Sequence, residues 1–197
     1  MAPVTQTLLL ANIAVFLLQA VAEPMLVGYL ALWPLHAPGG VAEFAPWQLV
    51  TYSFLHGSLM HLLFNMLALY MFGSDIERVF GARRYTLYYF TCVIAAAVAQ
   101  LLVAASGNSP PYPTVGASGG VFGLLLAFGL YFPTRMVMLI FPPIPMPAWL
   151  FVTLYGLLEL FLGVTGTQQG VAHFAHLGGM LGGYLLIRSW RSRSRYR

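Results

Sequence analysis

Ser118 lies in Gly116-Ala117-Ser118-Gly119-Gly120, and far downstream His176 lies in Ala175-His176-Leu177-Gly178-Gly179. A serine hydroxyl is a weak nucleophile until a base removes its proton, and histidine is the base suited to neutral pH. Both residues sit in apolar, glycine-rich stretches, so the chemistry they imply is hydrolysis carried out within lipid. Acyl transfer also needs hydrogen-bond donors for the developing oxyanion. His61 and Asn65, spaced i, i+4, project from one helical face, and with the Ser118 backbone N–H they make a candidate oxyanion hole. The competing reading is that a histidine and an asparagine in a membrane helix only hydrogen-bond neighbouring helices. Phe122 follows Ser118 by four residues, on the same face, where its ring can pack against the imidazole and fix its orientation. No acid is evident to orient His176, because Glu23 and Glu43 fall in the first long connection and Asp75 and Glu77 on the opposite face. The economical arrangement is a Ser118–His176 dyad.

The chain that must position these groups has 197 residues, of which 59% are hydrophobic and 7% charged. Soluble domains carry about 25% charged residues, and no soluble core hides this much apolar surface. The expectation is an integral membrane protein, all-α, with one membrane-embedded domain over 1–197. Six stretches approach the length needed to cross about 30 Å of hydrocarbon: 7–22, 59–72, 85–105, 115–132, 148–164 and 171–190. Between the first two, Pro24 to Ser58 holds Trp33-Pro34, Pro38-Gly39-Gly40 and Pro46-Trp47, and reads as a structured loop in the membrane interface. The proline run from Phe141 to Pro147 cannot be continuous helix and leads into span five. The first apolar run has no basic residue before it and Glu23-Pro24 after it, so it reads as a retained span rather than a cleaved signal. Cys92, the one cysteine, allows no intrachain disulfide.

All nine basic residues are arginine, and with six spans they fall on one face: Arg78, Arg83, Arg84, Arg135, Arg188, Arg191, Arg193, Arg195 and Arg197. The opposite connections contain none. The positive-inside rule converts this split into cytoplasmic termini. The arginine-rich tail reads as a contact to anionic lipid, not to nucleic acid. Spans two, four and six then run inward from the outer face, which brings His61, Asn65, Ser118 and His176 to similar depth. Gly116-x3-Gly120, Gly119-x3-Gly123, Gly178-x3-Gly182 and Gly179-x3-Gly183 let spans four and six pack closely, which would bring Ser118 and His176 within hydrogen-bond reach.

Two other polar features compete. His56, His61, His173 and His176 can be drawn as a zinc site, but that leaves the glycines around Ser118 without a role. No metal or other cofactor is expected. Glu159 is the only acid within a span. Intramembrane carboxylates can mark ion paths, but one such residue reads better as a hydrogen-bond partner of a neighbouring helix or of a polar cavity.

Taken together, these residues resemble the rhomboid intramembrane serine proteases. The resemblance runs from the first span through Gly183, carried by Gly116-Ala117-Ser118-Gly119, by Ala175-His176-x2-Gly179-x3-Gly183 and by His61-x3-Asn65, with His56 ahead of it. Gly73 to Glu77 also resembles the family pattern. The resemblance implies Ser118 as nucleophile, His176 as general base, and His61, Asn65 and the Ser118 amide as oxyanion hole. It makes Gly116, Gly119, Gly179 and Gly183 packing glycines, the first outer loop an interfacial loop, and span five a mobile lateral gate. The implied activity is cleavage of transmembrane segments of membrane proteins near the outer face of the cell membrane. Two positions depart from the pattern: Trp47-Gln48 stands for a Trp-Arg pair, and Phe122 for a frequent tyrosine. The extra domain or seventh span of some relatives is not expected. The alternatives are a catalytically silent rhomboid-like binder of transmembrane clients, and a small transporter built on Glu159 and the histidines.

Overall fold

The computed structural model describes residues 1–35, 43–106, 112–138, 143–166 and 172–194, with the side chains of 193 and 194 excluded. Pro38-Gly39-Gly40, most of the connection from Ser106 to Thr114, Phe141-Pro142, most of the connection before Ala172, and Arg195 and Arg197 therefore lie outside the described residues. The fold is a helical bundle: α1 (Pro3–Leu30), α2 (Gln48–Thr51), α3 (Leu59–Ala68), α4 (Ser74–Phe80), α5 (Ala82–Ser106), α6 (Ser118–Tyr131), α7 (Ala148–Thr165) and α8 (His173–Ser194). Strands β1 (Met136–Met138) and β2 (Pro145–Pro147) pair antiparallel between α6 and α7.

Among the described residues, four helical stretches are long and apolar enough to cross a membrane: Pro3–Leu30, Leu59–Phe80, Ala82–Ser106 and Ala148–Thr165. The second is α3 continued through a π-helical turn, Leu69–Gly73, into α4, so span two runs past its expected end at residue 72. The expected six crossings therefore have four clear helices, with α6 and α8 completing the bundle. At 14 residues, α6 extends only about 21 Å. It packs against α3, α5, α7 and α8, and eight of its residues are buried, so its neighbours rather than lipid surround much of it.

The first span also departs from expectation. Helix does not end at Ala22; the chain kinks there (φ −139°, ψ 30°) and continues to Leu30. Pro24 lacks an N–H and fixes its own φ, which suits the first turn of a resumed helix. The interfacial segment proper thus begins at Ala31.

The arginine-bearing end of the bundle is tied by side chains. Arg78 and Arg135 both pair with Asp75, at 2.9 Å for Arg78. Arg84 lies over the Trp190 ring and Arg191 over Tyr131. The start of α1 is held here by buried Glu77, whose carboxylate accepts from the Val4 N–H (2.9 Å), the Thr5 N–H (2.8 Å) and the Thr5 hydroxyl (2.8 Å). Those amides belong to the unpaired first turn of a helix, and the negative charge suits the positive end of its dipole. Replacing Glu77 with Ala strands these donors and is expected to cost about 2–4 kcal/mol. The check is apparent Tm in detergent, which should fall by several degrees for Glu77→Ala and hardly at all for Arg78→Ala at the exposed pair.

Candidate active site

The segment that delivers Ser118 is built by the interfacial loop. Leu32 and Thr114 exchange two backbone hydrogen bonds (3.0 and 2.9 Å), and the Gly116 N–H donates to the Tyr52 carbonyl at 3.0 Å. The Tyr52 hydroxyl in turn donates to the Val93 carbonyl of α5 at 2.8 Å. Gln19 clamps the His56 backbone, accepting from its N–H (2.9 Å) and donating to its carbonyl (3.2 Å). Gln48, at the place of the missing arginine, is buried. Its amide accepts from the Trp33 N–H at 3.2 Å and donates to the Tyr29 and Glu43 carbonyls. A neutral amide thus does the loop-fastening at that position.

Ser118 is the first residue of α6, not a turn inside it, because Gly116 holds a φ of +129° that helix does not allow. A Cβ at Gly116 would lie 2.7 and 2.8 Å from the His61 ring. Gly116 is therefore a turn and approach residue, not the helix-packing glycine expected. The packing role falls to Gly119 and Gly179, where a Cβ on Gly179 would overlap the Gly119 carbonyl oxygen. Gly183 faces Tyr88 and Cys92 of α5 instead.

This close approach brings the two expected residues together. Ser118 Oγ lies 2.8 Å from His176 Nε2. Phe122 stacks on the imidazole, with centroids 4.3 Å apart and planes within 6°. The His61 ring meets Gly116 beside Ser118 and packs edge-on to His56 at 5.1 Å. Asn65 donates one amide hydrogen to the His61 carbonyl at 2.9 Å. His61, Asn65, Ser118, Phe122, Tyr155 and His176 all line a cavity of about 940 Å³. It runs from the serine between α3 and α7 to Val137 of β1, and its walls are mostly apolar.

One reading of the residues needs correction. An acid does reach His176: Glu159 Oε2 lies 2.8 Å from His176 Nδ1 and 2.6 Å from His173 Nδ1. Helices α7 and α8 are sequential and run in opposite directions, so a residue near the end of α7 meets the start of α8. The signal was present in the sequence, as the one intramembrane acid and two histidines at i, i+3 that open the next helix. The donor atoms of Glu159, His173 and His176 lie within 4.8 Å of one another. Zinc ligands at about 2.0–2.2 Å in a tetrahedron stand roughly 3.3 Å apart. The two contacts here are at hydrogen-bond length, so the donor set fits hydrogen bonding better than a metal. Of the four histidines of the zinc alternative, His56 meets His61 and His173 meets His176 ring to ring.

The family model described as the Rhomboid domain matches residues 43–192. The chain belongs to the rhomboid family. It is 30% identical over 144 residues to rhomboid protease GluP of Bacillus subtilis (strain 168), covering 73% of this chain and 26% of that one. It is 35% identical over 148 residues to RHOMBOID-like protein 4 of Arabidopsis thaliana, covering 71% and 33%. With YdcA of the same Bacillus strain it shares 31% over 147 residues, covering 75% and 68%. The chain thus spans about a quarter to a third of the first two relatives and two thirds of the third. Family and apolar helices together make it a multi-pass membrane protein.

Since Gly179 has no room for a Cβ against the Gly119 carbonyl, Gly179→Ala must drive α6 and α8 apart. The expected cost is about 1–3 kcal/mol, read as a lowered apparent Tm. Gly28→Ala, which meets nothing within 4 Å, should not lower it.

Proposed function

We propose that this rhomboid is an intramembrane serine endopeptidase that cleaves transmembrane segments of membrane proteins with Ser118 as nucleophile and His176 as general base. The observation that carries the reading is the 2.8 Å approach of Ser118 Oγ to His176 Nε2 at one end of a long apolar cavity. A nucleophile–base pair at hydrogen-bond distance is what acyl transfer requires, and an apolar crevice between helices suits a transmembrane substrate. The relative GluP, named a rhomboid protease, supports the same class.

A substrate helix enters the crevice between α3 and α7 and unwinds locally, since an intact helix hides its peptide carbonyls. Ser118 Oγ attacks the carbonyl carbon while His176 Nε2 takes the hydroxyl proton. The oxyanion is met by the Ser118 backbone N–H, by the His61 ring and by the Asn65 amide, whose second hydrogen remains after its bond to the His61 carbonyl. Phe122 holds the imidazole plane through the transfer. His176 Nε2 then gives that proton to the leaving amine; it next takes a proton from water as the water oxygen attacks the acyl carbonyl, and returns it to Ser118 Oγ as the ester bond breaks and the acid leaves. The apolar walls keep water to the serine end. No step calls for a cofactor.

The one-sided arginines support cytoplasmic termini, with the serine toward the outer side of the cell membrane. A reporter fused after Arg197 should be active only if it folds in the cytoplasm; activity of an extracytoplasmic reporter at that junction would reverse the orientation. For the chemistry, wild-type protein in proteoliposomes should cleave a single-span model substrate and react with a fluorophosphonate probe. Ser118→Ala should lose both. His176→Ala should lose roughly 10³-fold or more in cleavage. Undiminished cleavage by Ser118→Ala would sink the proposal.

A further inference from the structure

A Ser–His dyad leaves the far nitrogen of the imidazole without a task, yet here that nitrogen is occupied. Glu159 Oε2 is 2.8 Å from His176 Nδ1, on the side of the ring away from Ser118. The same oxygen is 2.6 Å from His173 Nδ1. All three residues are buried, with 7% exposure for Glu159, 5% for His173 and 8% for His176. An ionised carboxylate only accepts hydrogen bonds, so both histidines must carry a hydrogen on Nδ1. For His176 that leaves a lone pair on Nε2, facing Ser118 Oγ at 2.8 Å. It is the one neutral tautomer that can take the serine proton.

His173 has a second, separable part. His173 Nε2 is buried and has no hydrogen-bond partner among the described residues. A buried imidazolium would need an acceptor there as well, so the geometry favours a neutral His173 that only donates. Its N–H then stabilises the carboxylate and stops it rotating, without cancelling its charge. That negative charge is left to offset the imidazolium that His176 becomes when it holds the serine proton. His173 and His176 are i, i+3 on α8, which points both Nδ1 atoms at one oxygen.

We propose that Glu159 and His173 are positioning residues, with Glu159 completing a Ser118–His176–Glu159 line across α6, α8 and α7 and His173 holding the carboxylate in place. The proposal rests on the protease reading above and extends it. The other ionisable groups that line the cavity with His176 are Tyr52, His61, Tyr112 and Tyr155; none is a carboxylate.

The test measures kcat and KM for a model transmembrane substrate, with the rate of fluorophosphonate labelling and the apparent Tm, for five proteins: wild type, Glu159→Gln, Glu159→Asp, His173→Leu and His173→Asn. Glu159→Gln removes the charge and can present its amide to Nδ1, which favours the wrong tautomer; kcat and labelling should fall by about 10²–10⁴ with KM little changed. Glu159→Asp keeps the charge and should recover part of that loss. His173→Leu should lose on the order of tenfold in kcat, and His173→Asn, whose amide N–H replaces Nδ1–H, should recover most of it. A merely structural role would move Tm and KM without this pattern of rescue. Wild-type kcat and labelling in folded Glu159→Gln overturn the proposal while leaving the protease reading intact. If Glu159→Gln does not fold, wild-type kcat in both Glu159→Asp and His173→Leu overturns it. Full activity of Ser118→Ala overturns the protease reading, and this inference with it.

Discussion

The contact on which the site depends is backbone against backbone. Where α6 crosses α8, Gly179 packs directly on the Gly119 carbonyl, and no side chain separates the two helices. In lipid there is little hydrophobic force between helices, so dispersion at such close approach does much of the holding. A single added methyl would move α6 and α8 relative to one another. Ser118 is one residue from Gly119 and His176 three from Gly179, so the separation of Ser118 Oγ and His176 Nε2 is set by how closely the backbones pack. On its other face α8 uses Gly178, Gly182 and Gly183 against Ala95, Ala99, Tyr88 and Cys92 of α5. Helix α8 is thus wedged between two close neighbours, and the imidazole inherits that rigidity.

A second constraint comes from polar groups in an apolar medium. Each one buried here has to find a partner inside the protein or cost several kcal/mol. Tyr52 and Tyr88 answer it by donating to helix carbonyls, Val93 and Gly123. Gln19 and Gln48 answer it by closing loop backbone. Glu77 answers it with the first turn of α1. Most of the buried polar residues are therefore structural fasteners, and they hold the interfacial loop and the helix ends that frame the serine. Glu159 and the two histidines are paired in the same way, apart from His173 Nε2, but their hydrogen bonds lead to Ser118.

Much of this was legible in the sequence because it is local or compositional. Apolar runs, the one-sided arginines and the glycine spacing lead to the helices, and the GxSG and AH motifs lead to Ser118 and His176. What escaped is set by tertiary geometry. The kink at Ala22 depends on how Pro24 is used, and the same dipeptide reads equally well as a helix end. Gly116 belongs to a four-residue pattern that fits helix packing, yet its φ of +129° is imposed by the turn that brings His61 beside Ser118. Glu159 lies seventeen residues before His176, and only the antiparallel packing of α7 on α8 turns that separation into a contact.

Helix α7 combines two demands. Its face toward the cavity carries Phe151 and Tyr155, and Phe151 faces Phe72 across the crevice with centroids 6.5 Å apart. Phe72 belongs to the π-helical turn that follows α3. Only 22% of the apolar stretch of α7 is buried by protein. Toward its other end, however, Glu159 bonds to α8 and Gly163 sits against His173 and Phe174. Phe151 and Glu159 are eight residues apart, about 12 Å along the helix. Under the proposed function, a displacement that admits a substrate and still keeps Glu159 on His176 has to be a tilt, wide at Phe151 and small at Glu159. A uniform outward shift would open the crevice and disconnect the carboxylate in the same motion.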